Sequence, residues 1–467
     1  MKWIDGQVQD LTVCYIGGGS RGWAWGFMMD LASDPEMQGT VRLYDIDKNA
    51  ALANQAIGEK ISAHPDARSK WAYEVKDSLK DALIGADFVV ISILPGTFKE
   101  MRSDVHAPES LGVYQPVGDT VGPGGFIRAM RTIPMFVPIA QAIRDYAPEA
   151  WVINYTNPMT LCMATLYRVF PQIRAFGCCH EVFGTQKLLA AMLQSECGIA
   201  DVPRQQIRVN VQGINHFTWF DSASYEGMDL MPIYRAFAEK YHANGFFAGK
   251  DDNWMNSVFD CAHRVKFDLF LRYEQIAAAG DRHLAEFMGK TYLMSPEMAH
   301  EWKFSMTTVD WREQDLARRL KRSAALVSGE EQIEIVPSGE EGHLLIKALL
   351  GLSEMVSNVN LPNRGQIENL PLGAIVETNA LFRRGEIRPV QAGAMAGSVL
   401  PLVTRHAQNQ LNTLDAALNC DFKLAASTFI NDPLMDGVSV SDGEALLRQM
   451  LIATQDYLPD GWKGVRS

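Results

Sequence analysis

The sequence predicts an α/β protein: a doubly wound parallel sheet in its first part, packed on a mixed α+β second part. Three observations carry this expectation. Short β-rich apolar runs alternate with helical patterns through the first half, a glycine-rich turn joins the first such run to the first helix, and the alternation fades after about residue 195. Residues 11–17, 41–45, 86–94 and 150–154 read as strands. Ser20 is a good N-cap for the first helix, which would carry Trp25, Met28, Met29 and Leu31 toward the sheet. Further on, 207–213 reads as a strand, and 342–356 and 390–418 carry helical patterns. There is no internal repeat, low-complexity tract or long Pro/Gly/Ser linker. The expected division is therefore 1–195 and 196–467, with an extensive interface between the two parts.

Composition excludes several classes. With 467 residues, 47% hydrophobic and 21% charged, the chain can bury a full core and is neither disordered nor fibrous. The net charge of -12 would repel nucleic acid and anionic membrane surfaces unless a basic patch intervened. The nearest candidate, Arg318-Arg319-Leu320-Lys321-Arg322, interleaves with Glu313 and Asp315 and reads as a solvated helix face. The N-terminal segment has no apolar signal region, and no apolar run reaches membrane-spanning length. A soluble, cytoplasmic protein is the expectation. Seven cysteines, odd in number and scattered through apolar segments, argue against a disulfide framework.

The first strand runs into Gly17-Gly18-Gly19-Ser20-Arg21-Gly22, a G-x-G-x-x-G turn. Glycines Gly17, Gly19 and Gly22 allow the tight turn, and backbone N–H groups there, with Ser20, can approach a pyrophosphate at the helix N-terminus. Asp45 ends the next strand, where a carboxylate accepts hydrogen bonds from ribose hydroxyls. That carboxylate would repel a 2′-phosphate, so NAD is favoured over NADP. The first part is thus expected to be of the Rossmann type, like the lactate and malate dehydrogenases.

Four later segments are too polar to be only core: Gly118-Asp119-Thr120-Val121-Gly122-Pro123-Gly124-Gly125, Asn154-Tyr155-Thr156-Asn157-Pro158, Cys178-Cys179-His180-Glu181-Val182 and Gly213-Ile214-Asn215-His216-Phe217. The segments at 154–158 and 213–217 directly follow expected strands. In an open α/β sheet the ligand crevice lies beyond the carboxyl ends of the strands, so these loops should converge near the nicotinamide. A thiolate and an imidazole facing one cleft can bind a borderline divalent metal.

Taken in order with the Gly17 turn, these segments resemble the motifs of glycoside hydrolase family 4. Gly280-Asp281-Arg282-His283 and Pro362-Asn363-Arg364-Gly365-Gln366-Ile367-Glu368-Asn369-Leu370-Pro371 extend the resemblance over most of the chain, and the Cys-His-Glu-Val form resembles the α-galacturonidase branch. The resemblance implies hydrolysis by oxidation, elimination, addition and reduction, with NAD taking hydride from carbon 3 of the sugar and a divalent metal acting as Lewis acid. It further implies Cys179 and His216 as metal ligands, with manganese the first choice, and a small α-linked sugar or uronide as substrate. Asp119 matches the family's acidic position near the leaving oxygen, a role that requires a raised pKa. Asp281 is the choice for the base that removes the carbon 2 proton, with Tyr273 in reserve. Asn157 would touch both substrate and nicotinamide. Arg102, or alternatively Arg282, would bind a uronate carboxylate, because a guanidinium fork matches both oxygens. His180 and Glu181 would contact substrate or support the metal ligand. Relatives form homodimers and homotetramers. An α-galactosidase, an α-glucuronidase or an α-glucosidase of the same family is an alternative, and an NAD-dependent 2-hydroxy acid dehydrogenase is the alternative from another class.

Overall fold

In a computed structural model, which describes residues 1–4, 6–247, 255 and 257–465, the apolar run after Gln7 forms the central strand of a ten-stranded sheet. The strands in chain order are β1 (Lys2–Ile4), β2 (Gln7–Ile16), β3 (Met37–Tyr44), β4 (Trp71–Val75), β5 (Phe88–Ile91), β6 (Trp151–Asn154) and β7 (Arg174–Gly177). They continue as β8 (Arg208–Ile214), β9 (Phe217–Tyr225), β10 (Met228–Asp229), β11 (Ile276–Ala277), β12 (Met355–Pro362), β13 (Ile375–Arg383) and β14 (Glu386–Pro389). The parallel part runs β4-β3-β2-β5-β6-β7, so the chain winds outward in both directions from β2. That is the doubly wound Rossmann order, and its reversal between β2 and β5 opens a crevice at the carboxyl ends of the strands.

Both faces of the parallel strands are covered, which is why these strands are nearly all apolar. One face packs on helices Trp23–Ser33, Lys48–Ala63 and Gly342–Leu350 through Met28, Leu31, Ile57 and Leu345. The other packs on Gly122–Tyr146 and Met159–Val169 through Phe136, Ile139, Met163 and Leu166.

Four details differ from the sequence expectation. The first helix begins at Trp23, with Gly22 as its N-cap and no side-chain cap; Ser20 instead donates its backbone N–H to Gly17 within the turn. Strands β4 and β7 lie in stretches not expected as strands, because an edge strand alternating buried and exposed residues and a four-residue strand are both weak periodic signals. The 342–356 pattern is helical only through Leu350; Gly351 ends the helix at φ 79°, and the chain turns into β12. The 390–418 pattern becomes helical at Leu400, with Pro401 in its first turn.

The sheet also crosses residue 195. Strands β12, β13 and β14 return from the second part and extend the β7 edge antiparallel. The rest of the second part is a small sheet of β8, β9, β10 and β11, and a helical core including Leu400–Asn419, Phe422–Ile430 and Val440–Ala453. All seven cysteines are free. Among the described residues, no helix is long and apolar enough to cross a membrane.

Candidate active site

The carboxyl ends of β2, β5, β6 and β7 feed the loops of one crevice, a cleft of about 720 Å³. Its floor includes Gly22, Trp23, Asp119, Arg128, Tyr155 and His180. Its far wall is one face of helix Val309–Ser328, where Trp311, Arg312, Asp315, Leu316 and Arg319 recur at helical spacing.

At the dinucleotide end, Gly17 stands at φ 92°, and a Cβ there would lie 2.0 Å from the Ser92 carbonyl oxygen, so only glycine lets β2 turn this close to β5. Gly22 stands at φ 123°, leading into the Trp23–Ser33 helix. Asn54 fastens the turn from behind: its Nδ2 donates to the Gly18 and Ser20 carbonyls at 2.7 and 3.0 Å, and its Oδ1 accepts from Trp25 at 2.7 Å. Asp45 accepts from the Gly19 N–H at 2.8 Å, which places its carboxylate at the turn. Arg319 crosses over the turn and donates to the Arg21 carbonyl at 2.8 Å, so the basic run read as a solvated face contributes one residue to the cleft.

The other end of the cleft is built around Asp119. The β8–β9 hairpin pairs Ile214 with Phe217, leaving Asn215 and His216 as its two-residue tip, with His216 left-handed at φ 64°. The tip brings His216 Nδ1 to 2.9 Å from the Thr120 hydroxyl, which itself donates to Asp119 at 2.7 Å. Asn157 donates to the other Asp119 oxygen at 3.2 Å while its own Oδ1 is buried without a partner. Arg128 donates to the Asn157 carbonyl at 3.2 Å.

His283, buried to 6% exposure, stacks on the His216 ring with centroids 3.9 Å apart. Its Nδ1 is 3.3 Å from Glu181 and its Nε2 is 3.9 Å from Asp119. Donor atoms of Asp119, His216 and His283 all lie within 4.8 Å of one another. In the sequence His283 stands only at the end of the Gly280-Asp281-Arg282-His283 motif; its place in the first turn of the Asp281–Phe287 helix, facing Glu181 and Asp119, is not legible there.

Burial works against every charge in this cluster, and the neighbours decide the outcome. Burial pushes Asp119 up, but His216, His283 and Arg128 outweigh it and hold the carboxyl well below the usual range. Asp119 is therefore a carboxylate, not the raised acid expected from sequence. Burial and the neighbouring His283 push His216 down to about 3, leaving it a neutral imidazole with a free lone pair. For His283, burial is overcome by Glu181 and Asp119, so its pKa rises and it is the imidazole of the pair that these carboxylates favour in the protonated form. Glu181 in turn is drawn well below the carboxylate range against its burial, mainly by His283.

The remaining expected site residues are placed as follows. Cys179 sits at the end of β7 but is outside the three converging donors; burial, Glu377 and Glu181 push its thiol well up. His180 pairs with Glu340 at 3.2 Å and stacks on Trp23 at the cleft. Asp281 is fully buried and accepts the Val265 and Lys266 N–H groups at 3.1 and 3.3 Å, so the expected base is directed at a helix start and not at the Asp119 cluster. Tyr273 belongs to a ring contact with Trp219. Asp281 also neighbours Cys261 and His263, but the buried Lys266 already supplies a cation there. Arg102 is 44% exposed and matched by Asp310 and Glu313 at 2.7 and 3.1 Å, which leaves it no free charge for a substrate carboxylate. Arg282 donates to Thr307 and lies over the Phe259 ring.

A Rossmann crevice whose nicotinamide end meets a half-buried carboxylate and two buried imidazoles defines a dinucleotide-binding enzyme with a candidate metal site, rather than a plain nucleotide binder. Residues 12–195 match the sequence model of family 4 glycosyl hydrolases and residues 211–435 that of the family 4 glycosyl hydrolase C-terminal domain, and the chain belongs to this glycosidase family. It is 59% identical over 464 residues to an alpha-galacturonidase of Thermoanaerobacterium saccharolyticum, covering 99% of both chains. It is similar, at a TM-score of 0.91 and 51% identity over 95% of this chain and 100% of the other, to a solved Bacillus subtilis structure provisionally called a glucosidase. A 6-phospho-alpha-glucosidase from gut microorganisms, solved with NAD and Mn²⁺, shares the fold at a TM-score of 0.79 and 19% identity, covering 96% of this chain and 99% of that one.

Proposed function

We propose that this glycosidase hydrolyses α-galacturonides and uses NAD and a divalent metal, manganese first, to do so. The observation that carries the reading is the cluster of Asp119, His216 and His283 at the nicotinamide end of a Rossmann cleft, in a chain closely similar to an alpha-galacturonidase.

The residues present fit both groups. The close-approach glycines, the exposed helix N-terminus and Asp45 suit a dinucleotide without a 2′-phosphate. An ionised Asp119 oxygen and the neutral His216 nitrogen suit a borderline divalent ion, and Cys179 would join them only as a thiolate, after losing its proton. When bound, NAD supplies a hydride acceptor that returns the hydride at the end of the cycle, and the metal supplies a Lewis acid for a sugar oxygen.

The chain's own residues do the rest. Asn157 and Thr120 fix the two Asp119 oxygens, so the carboxylate keeps one orientation. His283, held between Glu181 and Asp119, is the group positioned to give a proton to a leaving oxygen or to take one from carbon 2. Glu181, itself fixed by the Gly280 N–H at 2.6 Å, orients that imidazole. Assembly as a homodimer or homotetramer belongs to the same proposal and is read by light scattering.

The test uses p-nitrophenyl α-galacturonide with the reduced protein, with and without NAD and Mn²⁺, following nitrophenolate and NADH absorbance together. Release that needs both additions, without stoichiometric NADH, is expected. Release only from the neutral galactoside or the glucuronide would move the substrate; net NADH from a hydroxy acid would overturn the hydrolytic reading.

A further inference from the structure

Four arginines, Arg21, Arg128, Arg312 and Arg319, and four carboxylates, Asp30, Asp119, Asp315 and Glu340, line the cleft, and they do not pair off one to one. Of the guanidiniums that line it, Arg319 is matched by Asp315 at 2.7 Å. Of the acids, Asp315 is thereby engaged, Asp30 is held by Ser338, and Glu340 by His180. Asp119 serves the imidazoles and Arg128 and, with Glu286, acts on Arg312 only from beyond ion-pair distance. Arg312 stands apart from all of these pairs. Among the described residues no carboxylate lies within ion-pair distance of it. Among the described residues its Nε is buried without a hydrogen-bond partner, and the guanidinium's one hydrogen bond, from Nη2 to the Val117 carbonyl, is long at 3.4 Å.

Leaving the buried Nε of a partly buried guanidinium unmatched is costly unless a ligand completes it. Position says which ligand. Val117 begins the loop that carries Asp119, so the Val117 contact sets Arg312 beside that loop, on the wall facing the cluster. A sugar lying against Asp119 and His283 would therefore present one substituent toward Arg312. A planar fork with an unused Nε is the partner that a carboxylate binds with two parallel hydrogen bonds.

We propose that Arg312 receives the carboxylate of the uronide and sets the preference for uronides over neutral sugars. This rests on the α-galacturonidase reading above and assigns the task to Arg312 in place of Arg102, which is already matched by Asp310 and Glu313.

The experiment compares wild type, Arg312→Gln, Arg312→Lys and Arg102→Ala, each with NAD and Mn²⁺, on p-nitrophenyl α-galacturonide and α-galactoside. Binding of free galacturonate and galactose is measured alongside by calorimetry. Arg312→Gln is expected to lose roughly ten- to a hundredfold in kcat/KM and in affinity for the uronide and its acid, with the neutral pair much less affected. Arg312→Lys, which keeps the charge and loses the fork, should fall between, and it carries the test if the glutamine variant does not fold. Arg102→Ala should keep the wild-type preference. A wild-type preference for the uronide that survives both Arg312 changes would overturn the assignment and leave the uronide reading standing. A wild type that prefers the galactoside would overturn the uronide reading itself, and this proposal with it.

Discussion

Glu286 supports the Asp119 loop from behind: its Oε1 accepts the Val117 and Gly118 N–H groups at 2.7 and 2.9 Å, and its Oε2 is buried without a partner. Burial pushes this carboxyl from 4.5 up to about 7 against those two N–H groups. Between these values the unfolded chain releases the proton while the folded chain keeps it, so the folded state binds more protons and stability falls as pH rises. Each unit corresponds to about 1.4 kcal/mol, so about 3 kcal/mol is at stake across the window. Glu286→Gln keeps the accepting oxygen and never ionises. In urea denaturation its stability relative to wild type should therefore shift in its favour by an amount of that order between pH 5 and pH 8; a gap that does not move with pH would contradict this. Asp119→Asn removes the negative charge beside His283 and Arg128 at nearly the same size, and keeps an accepting oxygen for only one of Thr120 and Asn157. We expect turnover to drop by roughly a hundredfold or more, with NAD affinity unchanged in a direct titration. Retained turnover would remove Asp119 from the chemistry.

At the scale of elements, the strand-to-helix turn after β2 and the β8–β9 hairpin deliver the two halves of the site. The turn depends on Gly22, whose φ of 123° no L side chain adopts cheaply and whose Cβ would lie 2.1 Å from the Arg319 guanidinium. Gly22→Ala should cost about 1–3 kcal/mol in backbone strain and weaken NAD binding by roughly tenfold or more, read as quenching of the adjacent Trp23. Unchanged affinity would show that the helix start does not touch the dinucleotide. The turn was legible in the sequence because glycine spacing encodes backbone conformation directly. The hairpin's first strand was also legible, but its second strand and the contact at its tip were not: nothing in the spacing of Thr120 and His216 announces a 2.9 Å contact across 96 positions.

Over the whole molecule, the floor of the crevice is pinned by one buried ion pair. Arg131, at 0% exposure in the Gly122–Tyr146 helix, grips Asp104 of the Phe98–His106 helix with both terminal nitrogens, one at 2.9 Å, and its Nε donates to the Pro95 carbonyl. Asp104→Ala leaves a bare buried guanidinium and should destabilise the fold by about 3–5 kcal/mol, whereas Asp104→Leu with Arg131→Met should recover much of that loss. Equal chemical-denaturation midpoints for the single variant and wild type would contradict the pairing.

The sequence alone determined the parallel alternation, the dinucleotide turn and the loops that follow the strands, because each is written in local periodicity or in glycine and capping chemistry. It also carried the family, through motifs in order along the chain. Only the tertiary structure decided what the polar side chains do. It returned β12–β14 to the first sheet across residue 195, gave Asp281 to two backbone amides and Arg102 to two carboxylates, and brought His283 beside Asp119 and Arg312 into the cleft. It also reversed the expected ionisation of Asp119. The physical reason is common to all of these: a side chain's charge and partners are set by what lies within a few ångströms in space, and in this fold those neighbours come from other elements, some 15 positions away as for Asp281 and Lys266 and some 208 as for Arg102 and Asp310, whose meeting no local pattern records.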